Sequence, residues 1–135
     1  MPTTDVTYCI DPFPSEEELQ PMWQAAWGSR WSGDLAFILT RSLVHACAYF
    51  GDRVVGYVNV AWDGGVHAFL LDTTVDPAFQ RRGIARELVR RVTAAARTRG
   101  AEWLHVDYEP RLAAFYESCG FRPTVAGLID LTRPA

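Results

Sequence analysis

At Asp76-Pro77 the hydrophobic pattern of this chain changes period, from strand-like to helical. Upstream stand three β-rich runs, Leu43–Phe50, Arg53–Trp62 and Val66–Val75, separated by Gly51-Asp52 and Asp63-Gly64-Gly65. Gly-Asp and Asp-Gly pairs between such runs read as hairpin turns, so the three strands are expected to be antiparallel neighbours. Downstream, Ala85, Leu88, Val89, Val92, Ala95 and Ala96 form one helical stripe, with Arg86, Arg90, Arg91 and Arg97 largely off it. Gly100 is a helix stop.

The flanks complete a mixed α/β chain. Residues 5–10 alternate weakly, as a short first strand would. Ser15 and Glu18 have capping-box spacing, and Leu19, Met22, Trp23, Ala26 and Trp27 follow as an apolar stripe ending at Gly28. Pro21 inside that stripe predicts a kink or a late helix start. A second short helix is expected from Asp34 to Arg41, a strand over Trp103–Tyr108, and a helix opening at Pro110 that carries Leu112, Phe115, Tyr116 and Cys119. One or two short strands, broken by Pro123 and Gly127, are expected over 121–133. At 135 residues and 49% apolar content the chain suits one domain over 1–135 with a real core.

Charge narrows the chemistry. The net charge of −3 argues against a nucleic-acid coat. All 13 basic residues are Arg, and seven of them fall between Arg81 and Arg99, behind an acidic first 80 residues. The 3 Cys are scattered without paired spacing and read as buried thiols; His45, His67 and His105 sit in separate apolar stretches and read as strand histidines. No metal site is expected. No run approaches a membrane span and Met1–Cys9 lacks a leader pattern, so a reduced, cytoplasmic protein is expected.

The basic segment begins where the strand meets the helix, in Leu70–Arg86, LLDTTVDPAFQRRGIAR. Free N–H groups at a helix start, with the positive end of its dipole, make an anion site. Gly83 allows close approach to backbone, Ala85 keeps the next position small, and Arg81, Arg82 and Arg86 add charge. The expected ligand is a phosphate or pyrophosphate. The run lacks both G-x-x-x-x-G-K-[ST] and G-x-G-x-x-G, so neither a P-loop nor a dinucleotide fingerprint is present.

Val75-x-Pro77-x-x-Gln80-Arg81-Arg82-Gly83-Ile84-Ala85 resembles the acetyl-CoA pyrophosphate loop of the GNAT acyltransferase superfamily, V-x-P-x-x-[QR]-x-x-G-x-[GA]. Phe115-Tyr116-Glu117-x-x-Gly120-Phe121 resembles that family's second signature. The resemblance spans at least 53–121 and implies a single-domain GNAT-like fold, a mixed, mostly antiparallel sheet flanked by about four helices. It implies an acetyl-CoA-dependent N-acetyltransferase with no covalent enzyme intermediate.

Carried over by position, the backbone of Arg81, Arg82, Gly83, Ile84, Ala85 and Arg86 would wrap the pyrophosphate of coenzyme A. Thr73, Thr74 and Val75 would pair with its pantetheine arm, and the Val75 amide would face the thioester oxygen. Tyr116 matches the general-acid tyrosine. The base is open among Asp72, His105, Asp107, Tyr108 and a relaying water. Two departures stand out: Leu71 replaces a Glu found in some members, and Glu109 occupies a position where many carry Asn. Trp23, Trp27 and Trp31 fall in the region that tends to line the acceptor pocket, or else fill the core. The implied acceptor is a primary amine, a small molecule before a peptide or protein, with no nucleic-acid or membrane partner. The oligomer expected is a monomer or a homodimer in which a partner completes a truncated sheet edge. The alternatives are a non-catalytic acyl-CoA-binding regulatory module and a phosphate site for another nucleotide.

Overall fold

The computed structural model describes residues 5–134. The elements run β1 (Thr7–Ile10), α1 (Glu16–Trp27), α2 (Leu35–Arg41), β2 (Val44–Phe50), β3 (Arg53–Trp62), β4 (His67–Val75), α3 (Ile84–Thr98), β5 (Trp103–Val106) and α4 (Ala113–Ser118). Short 3-10 turns at Pro77–Phe79 and Pro110–Leu112 precede α3 and α4. The sheet order is β1-β2-β3-β4-β5. Its first three pairings are antiparallel, as the two hairpin turns require; β4 and β5 are parallel, with α3 as the crossover.

Two apolar clusters sandwich the sheet. On one face Leu88, Val89, Val92 and Ala96 of α3 pack on Ala46, Val58, Val60 and Leu70, with Tyr116 of α4 in the same cluster. On the other, Leu19 and Met22 of α1 and Leu35 and Leu39 of α2 pack on Cys47, Val54 and Tyr57. Gly56 permits the first arrangement: an added Cβ would lie 2.9 Å from Leu88 Cδ1 and 3.1 Å from Ile84 Cγ2.

The capping box at Ser15 forms in both directions, Glu18 N–H to Ser15 Oγ at 3.1 Å and Ser15 N–H to Glu18 Oε1 at 3.0 Å. It fixes the first turn, so α1 starts at Glu16 rather than late and runs through Pro21, which sits on the exposed side. Trp31 is core: the Gln20 side chain brackets its backbone, accepting from Trp31 N–H and donating to Trp31 O, both at 2.8 Å. His45 is also buried, held by the Pro12 carbonyl and the Phe13 ring, and loss of hydration pushes its pKa down.

Two expectations fail. Residues 121–134 form no strand; Pro123 cannot donate to a ladder, and Val125, Leu128, Ile129 and Leu131 stand exposed. Cys9 is exposed, and only Cys47 of the three thiols is fully buried. No helix among the described residues is long and apolar enough to cross a membrane.

Candidate active site

The site begins with a break in the alternation of β4. Tyr57 pairs with Thr74 and Asn59 with Leu71, so Val58 alone faces both Asp72 and Thr73. That extra residue is a β-bulge, and Asp72 occupies it at φ 58, a left-handed conformation uncommon for a side-chain-bearing residue. Below the bulge Ala68 and Leu70 face the α3 cluster; above it Val75 does. Thr74 is turned to the α1 face, where its hydroxyl accepts from Trp27 Nε1–H at 3.0 Å and donates to Asp72 O at 2.8 Å.

Beside the bulge the sheet opens. Pairing of β4 with β5 stops at Leu70–Val106, while β4 continues to Val75. Asp76 N–H donates to Val55 O at 2.8 Å, so ladder alternation turns the Val75 N–H the other way, into the gap. An extended ligand could pair with this edge, and a carbonyl oxygen in the gap would meet that amide.

The loop after β4 is held at both ends and open between them. Asp76 accepts from Ala78 N–H at 2.9 Å and from Arg53 Nη2 at 2.7 Å. Phe79 is buried against Phe50, and Ile84 is buried at the other end. Between them Arg81 (φ 65) and Gly83 (φ 77) turn the backbone into α3, whose N-terminus has no side-chain cap. A Cβ on Gly83 would meet nothing within 4 Å, so the glycine is required by its conformation and leaves the amides approachable. The Arg82 guanidinium lies 4.9 Å over Phe79, and Arg86 Nη1 donates to Ser118 Oγ at 2.9 Å, tying α3 to α4. Beside them a cavity of about 350 Å³ is lined by Arg86, Arg90, Arg97 and Ser118.

Tyr116 is buried in an aromatic nest, stacked on Tyr108 with centroids 5.1 Å apart and edge-on to Phe115 and Phe121. Burial raises its pKa, while a hydrogen bond from the Thr73 hydroxyl pulls the other way. That contact places the phenol at the upper side of the bulge. A neutral phenol in this position can give a proton to an anion formed in the gap.

The opposite sheet face carries a different set. Asp72 keeps contact with water yet is crowded enough that desolvation raises its pKa, and its charge bears on Tyr57. Phe69, Leu71 and Trp103 are exposed large hydrophobics on β4 and β5, and Phe69 stacks on His105 at 4.8 Å. Trp27 is half exposed and packs on Trp23 at 5.7 Å.

The structure thus gathers Asp72, Thr73, Thr74, Val75 and Tyr116 around one gap and sets Arg81 to Arg86 at the adjoining loop and helix start. His105 leans down the sheet onto His67, Nε2 to Nδ1 at 3.1 Å. Glu109 is exposed and accepts from Arg111 Nε at 2.9 Å. Tyr108 is the stacking partner of Tyr116. Sequence reading missed the bulge, the Trp27–Thr74 link and the Arg86–Ser118 link. Only the like pairs Leu70-Leu71 and Thr73-Thr74, which break the alternation on either side of Asp72, hint at the bulge. A larger groove of about 950 Å³ between β5 and residues 119–128 includes Tyr108 and Phe121 but none of the loop residues.

The model of the Acetyltransferase (GNAT) family matches residues 10–121. A serotonin N-acetyltransferase of Oryza sativa subsp. japonica is 33% identical over 69 residues, covering 51% of this chain and 34% of that protein. A glucosamine 6-phosphate N-acetyltransferase of the same plant is 40% identical over 50 residues, covering 37% of this chain and 30% of that protein. The matched segments therefore span about a third of these relatives' length. Among solved structures, a GNAT-family acetyltransferase of Streptococcus pneumoniae TIGR4 superposes with a TM-score of 0.79 at 26% identity, covering 96% of this chain and all of that one.

Proposed function

The chain belongs to the acetyltransferase (GNAT) family, and from that premise we propose that it moves an acetyl group from acetyl-CoA to a small-molecule primary amine in a ternary complex. The observation that carries this reading is the coincidence at one gap of the unpaired β4 edge, the Val75 amide and the buried Tyr116 phenol.

The uncapped start of α3 and the turn at Arg81–Gly83 suit a pyrophosphate, and the adjoining cavity with Arg86, Arg90 and Arg97 suits a further phosphate. The pantetheine arm would extend along Thr73–Val75 and carry the thioester into the gap. There the Val75 N–H would donate to the carbonyl oxygen as it becomes an oxyanion, a contribution of about 3 kcal/mol for one well-placed donor. The neutral amine attacks the carbonyl carbon, the C–S bond breaks, Tyr116 gives its proton to the leaving thiolate, and the proton that the new amide nitrogen sheds returns through water to the phenolate.

The amine must arrive from the α1 face, where Asp72 is the nearest acid of the bulge. Its role is to hold the incoming ammonium and take or relay its proton to water. The exposed apolar and aromatic surface of Phe69, Leu71 and Trp103 on the same side favours an amine carried on a hydrophobic body. The two plant relatives are named for a serotonin and a sugar-phosphate amine, so small amines are the acceptors to try first. The cytoplasm is the compartment in which acetyl-CoA would be met.

Incubation with acetyl-CoA and a panel of aryl-alkyl, polyamine and amino-sugar acceptors, with free thiol followed, tests the proposal. Thiol release that requires both an amine and Tyr116 is expected. Tight coenzyme A binding with no release above the blank for any amine would reduce the protein to an acyl-CoA-binding module.

A further inference from the structure

The register of β1 on β2 sets Cys9 directly opposite Cys47. Both side chains lie on the α1 face: Cys47 belongs to the cluster under α1 and α2, while Tyr8 and Ile10, the neighbours of Cys9, turn to the α3 cluster. Directly opposed residues of an antiparallel pair have Cα atoms about 4.5–5.5 Å apart, inside the roughly 4.4–6.8 Å that a disulfide spans. The two thiols differ in access. Cys9 is exposed, whereas Cys47 is fully buried beside Tyr49. The third, Cys119, lies on α4's C-terminal side of the molecule, against the other cluster.

We propose that Cys9 and Cys47 form a reversible, peroxide-driven cross-strand disulfide, a modification site that lies beyond the transferase reading and does not depend on it. The exposed Cys9 thiolate attacks hydrogen peroxide, breaking the O–O bond, and becomes a sulfenic acid with release of hydroxide. The Cys47 sulfur then attacks the Cys9 sulfur; the S–O bond breaks and water leaves with the Cys47 proton. Two thiols are oxidised by one peroxide. Burial holds the Cys47 thiol up at about 12, so the second step depends on the enforced opposition of the two residues and is slow.

The placement gives the bond a consequence. The segment between the two cysteines contains all of α1 and α2, the helices that cover the α1 face and carry Trp27 to the bulge. Oxidation would staple that cap at its root and leave the α3 side untouched.

The test is titration of the purified full chain with hydrogen peroxide, blocking of free thiols, and peptide mass spectrometry. A Cys9–Cys47 linked peptide that dithiothreitol reverses is expected. It is accompanied by a rise of several degrees in Tm, because the cross-link closes a long loop of the unfolded chain, and by unchanged coenzyme A affinity. The linkage should vanish in Cys9→Ser, vanish in Cys47→Ala with Cys9 left as sulfenic or sulfinic acid, and persist in Cys119→Ser. Over-oxidation of Cys9 in the unsubstituted chain, or a Cys9–Cys9 bond between two molecules with Cys47 still reduced, would overturn the proposal.

Discussion

Gly56→Ala probes how α3 is seated, and through it the loop. The added methyl would lie 2.9 Å from Leu88 Cδ1, 3.1 Å from Ala48 Cβ and 3.1 Å from Ile84 Cγ2. None of the three can retreat into solvent, since all are buried on the face where α3 meets β2 and β3. Over-packing of this kind costs about 1–3 kcal/mol, and the entropy that alanine removes from the unfolded chain returns about 0.4–1 kcal/mol. The net loss is roughly 1–2 kcal/mol. For a chain of this size 1 kcal/mol moves Tm by about 4 °C, so a fall of about 4–8 °C is expected. Ile84 is the first residue of α3, so relief of the clash lifts the helix start and the amides behind Gly83. Coenzyme A affinity should therefore fall several-fold as well. Thermal melts with and without coenzyme A, and calorimetric titration, read both quantities. Gly127→Ala, where a Cβ meets nothing within 4 Å, is the control. A Gly56→Ala protein melting within 1 °C of the parent (~0.3 kcal/mol on the same scale) with unchanged affinity would refute the idea that this glycine sets the height of α3.

Other expectations concern single groups. Tyr116→Phe keeps the aromatic nest and removes the proton; kcat should drop by about 10²-fold or more with coenzyme A affinity intact, and an equal loss in both would point to packing alone. Asp72 has a raised pKa, so its charge opposes folding at neutral pH, and that cost disappears as pH falls below the usual carboxylate range. Asp72→Asn should accordingly raise Tm at pH 7, with the gain shrinking toward pH 3.5 in a melt series, while the KM for amine increases. His45 has a lowered pKa, so it favours the folded state above its ordinary value and loses that advantage as pH falls through the unfolded pKa near 6.5. Tm should decline between pH 7 and pH 5, and His45→Gln should flatten that slope. Trp27→Phe removes the donor to Thr74 and should raise the KM for amine more than it changes coenzyme A affinity; the reverse pattern would deny the link any role on the acceptor side.

Much of this molecule is legible from local chemistry. Ser15 and Glu18 announce a helix start because two short side chains satisfy backbone donors within one turn. Gly51-Asp52 and Asp63-Gly64-Gly65 announce antiparallel pairing because little else fits so tight a reversal. The phosphate loop is readable for the same reason: its glycine, its arginines and the helix behind it are contiguous. What stayed hidden depends on residues far apart in the chain. Whether Trp23, Trp27 and Trp31 form one wall or serve separate ends is decided by Gln20, which takes Trp31 into the core, and Thr74, which holds Trp27 at the bulge. The strands expected over 121–133 have the right residue types, but Pro123 and Gly127 interrupt the run, and among the described residues the outer edge of β5 stays unpaired. Cys9 and Cys47 look unrelated until register aligns them.

The bulge at Asp72 acts on β4 as a frameshift acts on a message. Below it, the residues that face α3 are the even-numbered ones, Ala68 and Leu70; above it, the odd-numbered Thr73 and Val75 take over, and the buried Thr74 turns to the α1 face. Enlarged side chains should therefore press on α3 at even positions below Asp72 and at odd positions above it, while at Thr74 they press on α1. Had the strand kept step, Thr73 would turn its back on Tyr116, and the binding edge and the acid would belong to opposite faces of the sheet.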